Sequence, residues 1–416
     1  MRSILTALAA TTVMSGAAFA DAHAPALSGD MRIISDMSNP APRAVMEGLV
    51  AKFGEMHPDL NIELEVVDRD GWKSQIRNAL TSNPPDVINW YAANRMGPYV
   101  QAGLFEDVSD IWGDIEGLDS VKGALTIDDK QWGVPYTYYQ WGVYYREDIF
   151  AELGLEEPET FEQELANCEK IVESGRSCYA IGTKFLWTAG GWFDYLNMRT
   201  NGFDFHQQLA NGEIEWTDDR VRETFANWRK LIDMGAYIPD HQNYSWQEAL
   251  PFVVNGEATA YLIGNFAVAP LREAGLTDDQ IDFYQFPLID PDLPQGEDAP
   301  IDTFHIPAQA SNKEAAREFL KFVTTAEIQT EINAGDKLGQ LPVNAASSVD
   351  DDEFLNQGFE MLTTNAQGGI AQFFDRDFPA EMAAVGMEGL QEFMVFPDNL
   401  DEILARLEDA RQRIYK

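Results

Sequence analysis

Cysteine and histidine are the scarcest chemistry-bearing residues of this 416-residue chain, with two of the first and five of the second. The histidines, at positions 23, 57, 206, 241 and 305, show no metal-ligand spacing, and no C-x2-C pair is present, so no metal site is expected. Catalytic signatures are missing as well. There is no G-x-S-x-G, no H-E-x-x-H, no phosphate loop and no G-x-G-x-x-G after a strand, which removes the enzyme classes those motifs mark and leaves no cofactor to expect. Beyond the first residues no stretch stays apolar for the ~18 positions a membrane span needs. Positive charge is also short: 29 Lys and Arg stand against 69 Asp and Glu, a net charge of −40 that argues against nucleic acid or an anionic membrane surface as partner. The acids are spread out, so a pair such as Asp375 and Asp377 is weak evidence for glycosidase chemistry. The one dense run, Asp350 to Glu353, reads as a solvated loop or helix start. The segment LIDPDLPQGEDAP (288–300) reads as an exposed loop. Its alternating acids match a calcium loop poorly, because proline interrupts them and the terminal Glu is misplaced.

What is present begins at the N-terminus. Arg2 precedes an apolar run from Ile4 to Val13, and small residues end in Ala18-Phe19-Ala20, the pattern of a secretory signal in 1–20 cleaved after Ala20. No cysteine follows that run to accept a lipid, so a free periplasmic protein is expected. In that oxidising compartment Cys168 and Cys178, with nine residues between them, are expected to form a disulfide.

From Met31 the pattern alternates: strand (31–36), helix (42–57), strand (62–68), helix (71–80), strand (86–91), an α/β opening with a parallel sheet. Val45, Met46, Leu49, Val50, Phe53 and Met56 fall on one helical face and read as core. Ligands of such sheets lie beyond the carboxyl ends of strands, here Ser38-Asn39 and Trp90-Tyr91. A second α/β region runs from about Gly142 to Pro300, with helices over 160–175, 221–235 and 245–256 and strands over 178–183, 258–264 and 281–287. A helix follows from Ser311, with Ser311 and Glu314 as a capping box.

The densest feature is WGVPYTYYQWGVYY (132–145), with seven Trp or Tyr in fourteen residues. Tyr144 and Tyr145 continue a strand and read as structural. Tyr138 and Tyr139 are neighbours and must point to opposite faces, so core packing on one face does not account for both. Rings beside amides and carboxylates recur at Trp90-Tyr91, Trp187 to Trp192, Asn265-Phe266 and Phe373 to Asp377. That mixture suits a sugar, whose apolar C–H face packs on a ring while its hydroxyls meet polar side chains.

Four stretches, PPDVINWYAANRMGPYVQAGLFEDV (84–108), GVPYTYYQWGVYYREDIFAELGL (133–155), WQEALPFVVNGEATAYLIGNF (246–266) and IPAQASNKEAAREFLKFV (306–323), occur in a telling order. The chain resembles the extracytoplasmic solute-binding proteins of carbohydrate ABC transporters, the family that includes maltose-binding protein. The resemblance implies an α/β, two-lobed periplasmic binding protein fold, type II-like, with the ligand cleft between lobes joined by three hinge crossings. Carried onto this sequence, the first lobe takes 27–135 and 303–338, and the second 136–302 and 339–416. The crossings fall near Pro135–Tyr138, Asp302–His305 and Leu338–Pro342. Tyr138 and Tyr139, Asp302 and His305 then lie beside the ligand. Trp187 and Trp192 follow a second-lobe strand, and Phe266 follows Asn265 where the family commonly has a Trp. Asp375 and Arg376 sit where the family brings a further side chain into the cleft, with a surface ion pair as the other reading of 375-DRD-377. The function implied is a monomeric periplasmic receptor that captures a mono- or oligosaccharide or small glycoside, neutral or anionic, and delivers it to a membrane permease. A polyamine receptor of the same fold and an exported glycoside hydrolase are the alternatives.

Overall fold

The computed structural model describes residues 27–349 and 352–415. The signal-like segment 1–20, with its cleavage site, and Asp350 and Asp351 of the acidic run lie outside the described residues. Strands β1 (Gly29–Ser35), β2 (Leu60–Val66) and β3 (Val87–Tyr91) are joined by helices α1 (Pro40–Met56) and α2 (Arg69–Ser82), and β1 pairs in parallel with both neighbours. Helix α1 opens with proline in its first turn, where the missing N–H costs nothing and φ is already helical. Its buried face is Val45, Met46, Leu49 and Phe53. Met56, expected on that face, is 57% exposed, because it falls in the last turn of the helix, past the part that packs on the sheet. Helix α2 starts where the Asp68 carboxylate accepts the Gly71 N–H at 2.8 Å, an N-cap.

Two later strands complete this first sheet. β4 (Val134–Tyr138) and the strand Ile301–His305 give the order β2-β1-β3-(301–305)-β4, the inserted strand running antiparallel to both neighbours. The second sheet takes strands 281–284, 141–146, 258–264 and 177–179 in that order. Each sheet carries its own core, one centred on Ile33, Trp72, Phe304 and Phe319 and the other on Trp192, Phe225, Tyr261 and Phe393. The fold is therefore two-lobed.

The sheets run past the expected lobe boundaries. Val134–Tyr138, with a bulge at Tyr136, and Ile301–His305 belong to the first sheet, so only Tyr139-Gln140 separates β4 from the second sheet's Trp141. Near the third crossing Leu341 exchanges backbone hydrogen bonds with Tyr138. The Asn344 amide still bonds the Glu116 and Thr324 carbonyls of the first lobe, so the chain stays with that lobe beyond Leu338–Pro342.

Three local expectations are corrected. The helix Lys313–Val323 is capped by Asn312, whose side chain accepts the Ala315 N–H. Ser311 instead donates to Asp86, and the same Asp86 oxygen accepts the Asn312 N–H, which draws Ser311 out of the cap position. The segment 288–300 is not all exposed loop: Gly296–Asp298 is a buried strand paired in parallel with Gly369–Ala371. The strand expected over 178–183 ends at Tyr179.

Candidate functional site

A cleft between the lobes holds about 1210 Å3 of space free of atoms, the solvent at its mouth included. One wall is aromatic and comes mainly from the second lobe. The Trp141 ring lies 4.5 Å from Phe373 and 5.9 Å from Trp187, and Phe266 lies 5.3 Å from Tyr139 and 5.1 Å from Trp246. Helix 187–201 approaches this wall through Gly191, where a Cβ would stand 2.7 Å from the Trp141 ring. A glycine is what lets helix and ring touch.

The opposite wall is charged. Asp302, 2% exposed, accepts from Arg69 Nη2 at 2.7 Å on one carboxylate oxygen and from Arg376 Nη2 at 2.9 Å on the other. Arg376 also donates to the Ile301 carbonyl at 2.8 Å and the Tyr139 hydroxyl at 2.7 Å, and its guanidinium lies 4.3 Å over the Tyr91 ring. One arginine of the second lobe is thus tied to the first by an ion pair, a carbonyl and a ring. Asp36, behind this wall, is 3.7 Å from Arg69 Nε; burial raises its carboxyl, against the pull of Arg69. Lys73 reaches across the cleft, 5.6 Å from the Trp187 ring and 3.4 Å from Asp70. Burial pulls the Lys73 ammonium below its ordinary value, against the opposing effect of Asp375 and Asp70. At Asp375 burial opposes ionisation, yet the charges of Arg95, Lys73, Arg376 and Arg69 hold the carboxyl below the usual carboxylate range. Asp375 lines the cleft as an anion.

Of the residues singled out from sequence, Asn39, Tyr91, Tyr139, Trp187, Phe266, Asp302, Asp375 and Arg376 line this one cleft. Six do not. Trp192 is fully buried, 4.6 Å from Tyr179 and 5.1 Å from Tyr237; five positions after Trp187 on one helix, it faces the core. His305 stacks on Phe105 at 4.5 Å and bonds Thr303 and the Trp132 carbonyl, because it stands at the far end of its strand from Asp302. Trp90 donates to the Arg95 carbonyl at 3.0 Å, its neighbour Tyr91 taking the cleft side. Tyr138 packs against both cores at the hinge. Asn265 is buried beneath Phe266, its N–H on the Gln140 carbonyl. Ser38 lies in the turn after β1, its N–H on the Asp36 carbonyl. For the 375–377 triplet, burial of Asp375 and Arg376 at 5% and 4% rules out a surface ion pair.

Arg69, Lys73, Trp141 and Trp246 also line the cleft and were missed. Arg69 follows β2, so the rule that pointed to the ends of β1 and β3 applied to it equally. Trp246 opens a helix whose periodicity hides it among core residues.

A family model of bacterial extracellular solute-binding proteins matches residues 38–330. An uncharacterised ABC transporter extracellular-binding protein of Pyrococcus horikoshii is 26% identical over 389 residues, 91% of this chain and 87% of that one. The alpha-glucosides-binding periplasmic protein AglE of Rhizobium meliloti is 28% identical over 308 residues, 68% of this chain and 62% of that one. Among solved structures, the bacterial solute receptor AcbH, described as preferring β-D-galactopyranose exclusively, superposes with a TM-score of 0.87 at 26% identity. That match covers 94% of this chain and all of that one. On the two-lobed fold, the cleft between its lobes and the matched residues, the chain belongs to the bacterial extracellular solute-binding protein family.

Proposed function

We propose that the protein is the receptor of an ABC importer for a neutral mono- or oligosaccharide or small glycoside, exported by a signal cleaved after Ala20 and working as a periplasmic monomer. The observation that carries this reading is the pairing of an aromatic wall with a wall of charges that are already matched. Arg69, Lys73 and Arg376 face Asp70, Asp302, Asp375 and Glu273 in the lining, so neither sign is in marked excess. A neutral polyol suits such a balanced lining better than a polyamine, which needs a clear excess of acids, or an anion, because Arg376 already donates to Ile301, Tyr139 and Asp302. The relatives described as binding galactopyranose and α-glucosides support the same class.

Trp187 and Phe266, the less buried rings, pack on the sugar's C–H face, and Asp375 and Lys73 meet its hydroxyls. Tyr139-Gln140, the turn before Ile301 and the chain beyond Asn344 act as the three hinge segments. The protein binds and hands over its solute to permease subunits without chemical change, and nucleic acid has no part in it.

A thermal-shift panel of galactose, glucose, maltose, raffinose, mannitol and spermidine tests this. At least one sugar is expected to raise the melting temperature, and in calorimetry with that sugar Trp187→Ala should bind about tenfold more weakly, ~1.4 kcal/mol. A shift by spermidine alone, or unaltered affinity in Trp187→Ala, contradicts the reading.

A further inference from the structure

Behind the turn that carries Asp375 and Arg376 lies a group of acids that never reaches the cleft. Asp194 and Asp298 are fully buried, and Asp377 is half-buried at the end of the turn. Asp194 Oδ2 accepts the Phe374 N–H at 2.6 Å, and Asp377 Oδ2 accepts the Gln372 N–H at 2.9 Å and Gln207 Nε2 at 3.3 Å. Between these two anchors Phe373 holds φ at +92°, a left-handed conformation that costs a non-glycine residue energy and needs such support. The turn then meets the first lobe through the Asp377 carbonyl, which accepts from Asn94, and through Arg376.

Among the described residues no cation is bonded to the cluster. Among the described residues Asp194 Oδ1 and both carboxylate oxygens of Asp298 have no hydrogen-bond partner. His206 Nε2, fully buried and also without a partner, points at Asp194 Oδ1 from 3.6 Å. Asn197 fixes that histidine's tautomer: its Oδ1 accepts from Asn201 and Thr224, so its Nδ2 donates to His206 Nδ1 at 3.1 Å and the ring proton sits on Nε2. Burial drops the imidazole to about 4, so His206 is a neutral donor. The cations that face the cluster are committed elsewhere. Arg199 pairs with Glu297 and the Phe286 carbonyl, and Arg376 pairs with Asp302. The other charged neighbours, Glu297 and Asp375, are acids. Several carboxylates buried without a cation are prohibitively costly, and the group neutralises instead.

We propose that Asp194, Asp298 and Asp377 form a proton-holding support that positions Asp375 and Arg376 at the cleft, so that the solute site loosens when these buried acids lose their protons. The consequence for solute rests on the sugar-cleft reading above; the support itself does not. Burial, with mutual repulsion adding to it, raises Asp194 and Asp298 well above the usual carboxylate range, and burial pushes Asp377 up to about 6. Acids raised in the folded state contribute stability that is complete below their unfolded value of about 4. That stability is lost as pH rises through about 6 for Asp377 and higher for the other two.

The test uses the full-length, ligand-free protein, so its failure is separate from failure of the sugar reading. Hydrogen exchange of the 372–378 backbone, corrected for intrinsic rates, should show about tenfold less protection at about pH 8 than at about pH 5 in wild type. In Asp298→Asn and Asp377→Asn the difference should shrink, because one of the three titrating acids is gone, and in the double variant it should shrink further. Asp298→Asn should also melt about 2 °C or more above wild type at the higher pH and level with it at about pH 4. A pH profile shared by wild type and both variants overturns the proposal. So does millimolar calcium that raises the melting temperature of wild type but not of Asp298→Asn, since a cation would then hold the cluster. Failure of both variants to fold also contradicts it, because an amide reproduces the shape of the neutral acid.

Discussion

Replacing Asp302 with alanine should abolish measurable solute binding and lower stability by about 3 kcal/mol, the cost of breaking a buried ion pair on one side. Asp302 is the only acid hydrogen-bonded to Arg376 among the described residues, and it gives its second oxygen to Arg69. Without it Arg376, 5% exposed at its side chain, keeps a charge with no anion bonded to it. Arg69 is 34% exposed, so water can take over part of its share, and the greater loss falls on Arg376. The two arginines would then repel each other across the hinge where the lobes must meet. Asp302→Asn keeps the shape and one acceptor, and is expected to fall between wild type and alanine. Melting curves and calorimetry against the best sugar decide the matter. An alanine variant that melts with wild type and binds equally would mean that the Arg69–Asp302–Arg376 chain carries no load.

The second large effect lies away from the cleft. Cys168 and Cys178 are bonded to each other, with Cα atoms 5.1 Å apart, and tie helix 161–173 to strand 177–179 in the second core. Closing so short a loop stabilises by about 2–3 kcal/mol through the unfolded chain. The double change Cys168→Ala with Cys178→Ala should lower the melting temperature by about 5 °C or more and leave sugar affinity unchanged, since neither residue lines the cleft. Reductant should move wild type by a similar amount and the variant not at all. Equal melting of variant and wild type would sink the expectation. Glu164 lies beside Cys168, and burial raises its carboxyl to about 8; with both sulfurs in a disulfide, this trio is no thiolate metal site.

The opening β-α-β-α-β run was legible because α1 shows its 3.6-residue period plainly, β2 alternates apolar and polar residues, and β3 is a short, mostly apolar run. The cleft was half legible for the same kind of reason. Tyr91, Tyr139 and Phe266 stand at strand ends, where a rule of topology applies. Trp187 and Trp192 carry the same local signal, yet they point to opposite sides of one helix, and only packing decides which meets the cleft. Asp302 was legible as a hinge residue and His305 was not distinguishable from it, although three residues along the strand turn one toward the cleft and the other into the first core. Glu297 and Asp298 read as loop because proline and charge surround them, while the strand Gly296–Asp298, paired with Gly369–Ala371, is buried. Long-range pairing of that kind leaves no mark in local composition.

The most direct measurement is a crystal structure of the protein with the sugar that gives the largest thermal shift. The account predicts the sugar in the interlobe cleft, its C–H face on Trp187 or Phe266, its hydroxyls on Asp375 and Lys73, and the Arg376–Asp302 pair intact beneath it. A sugar bound elsewhere, or one held by Arg376 released from Asp302 with no ring against it, would contradict the account.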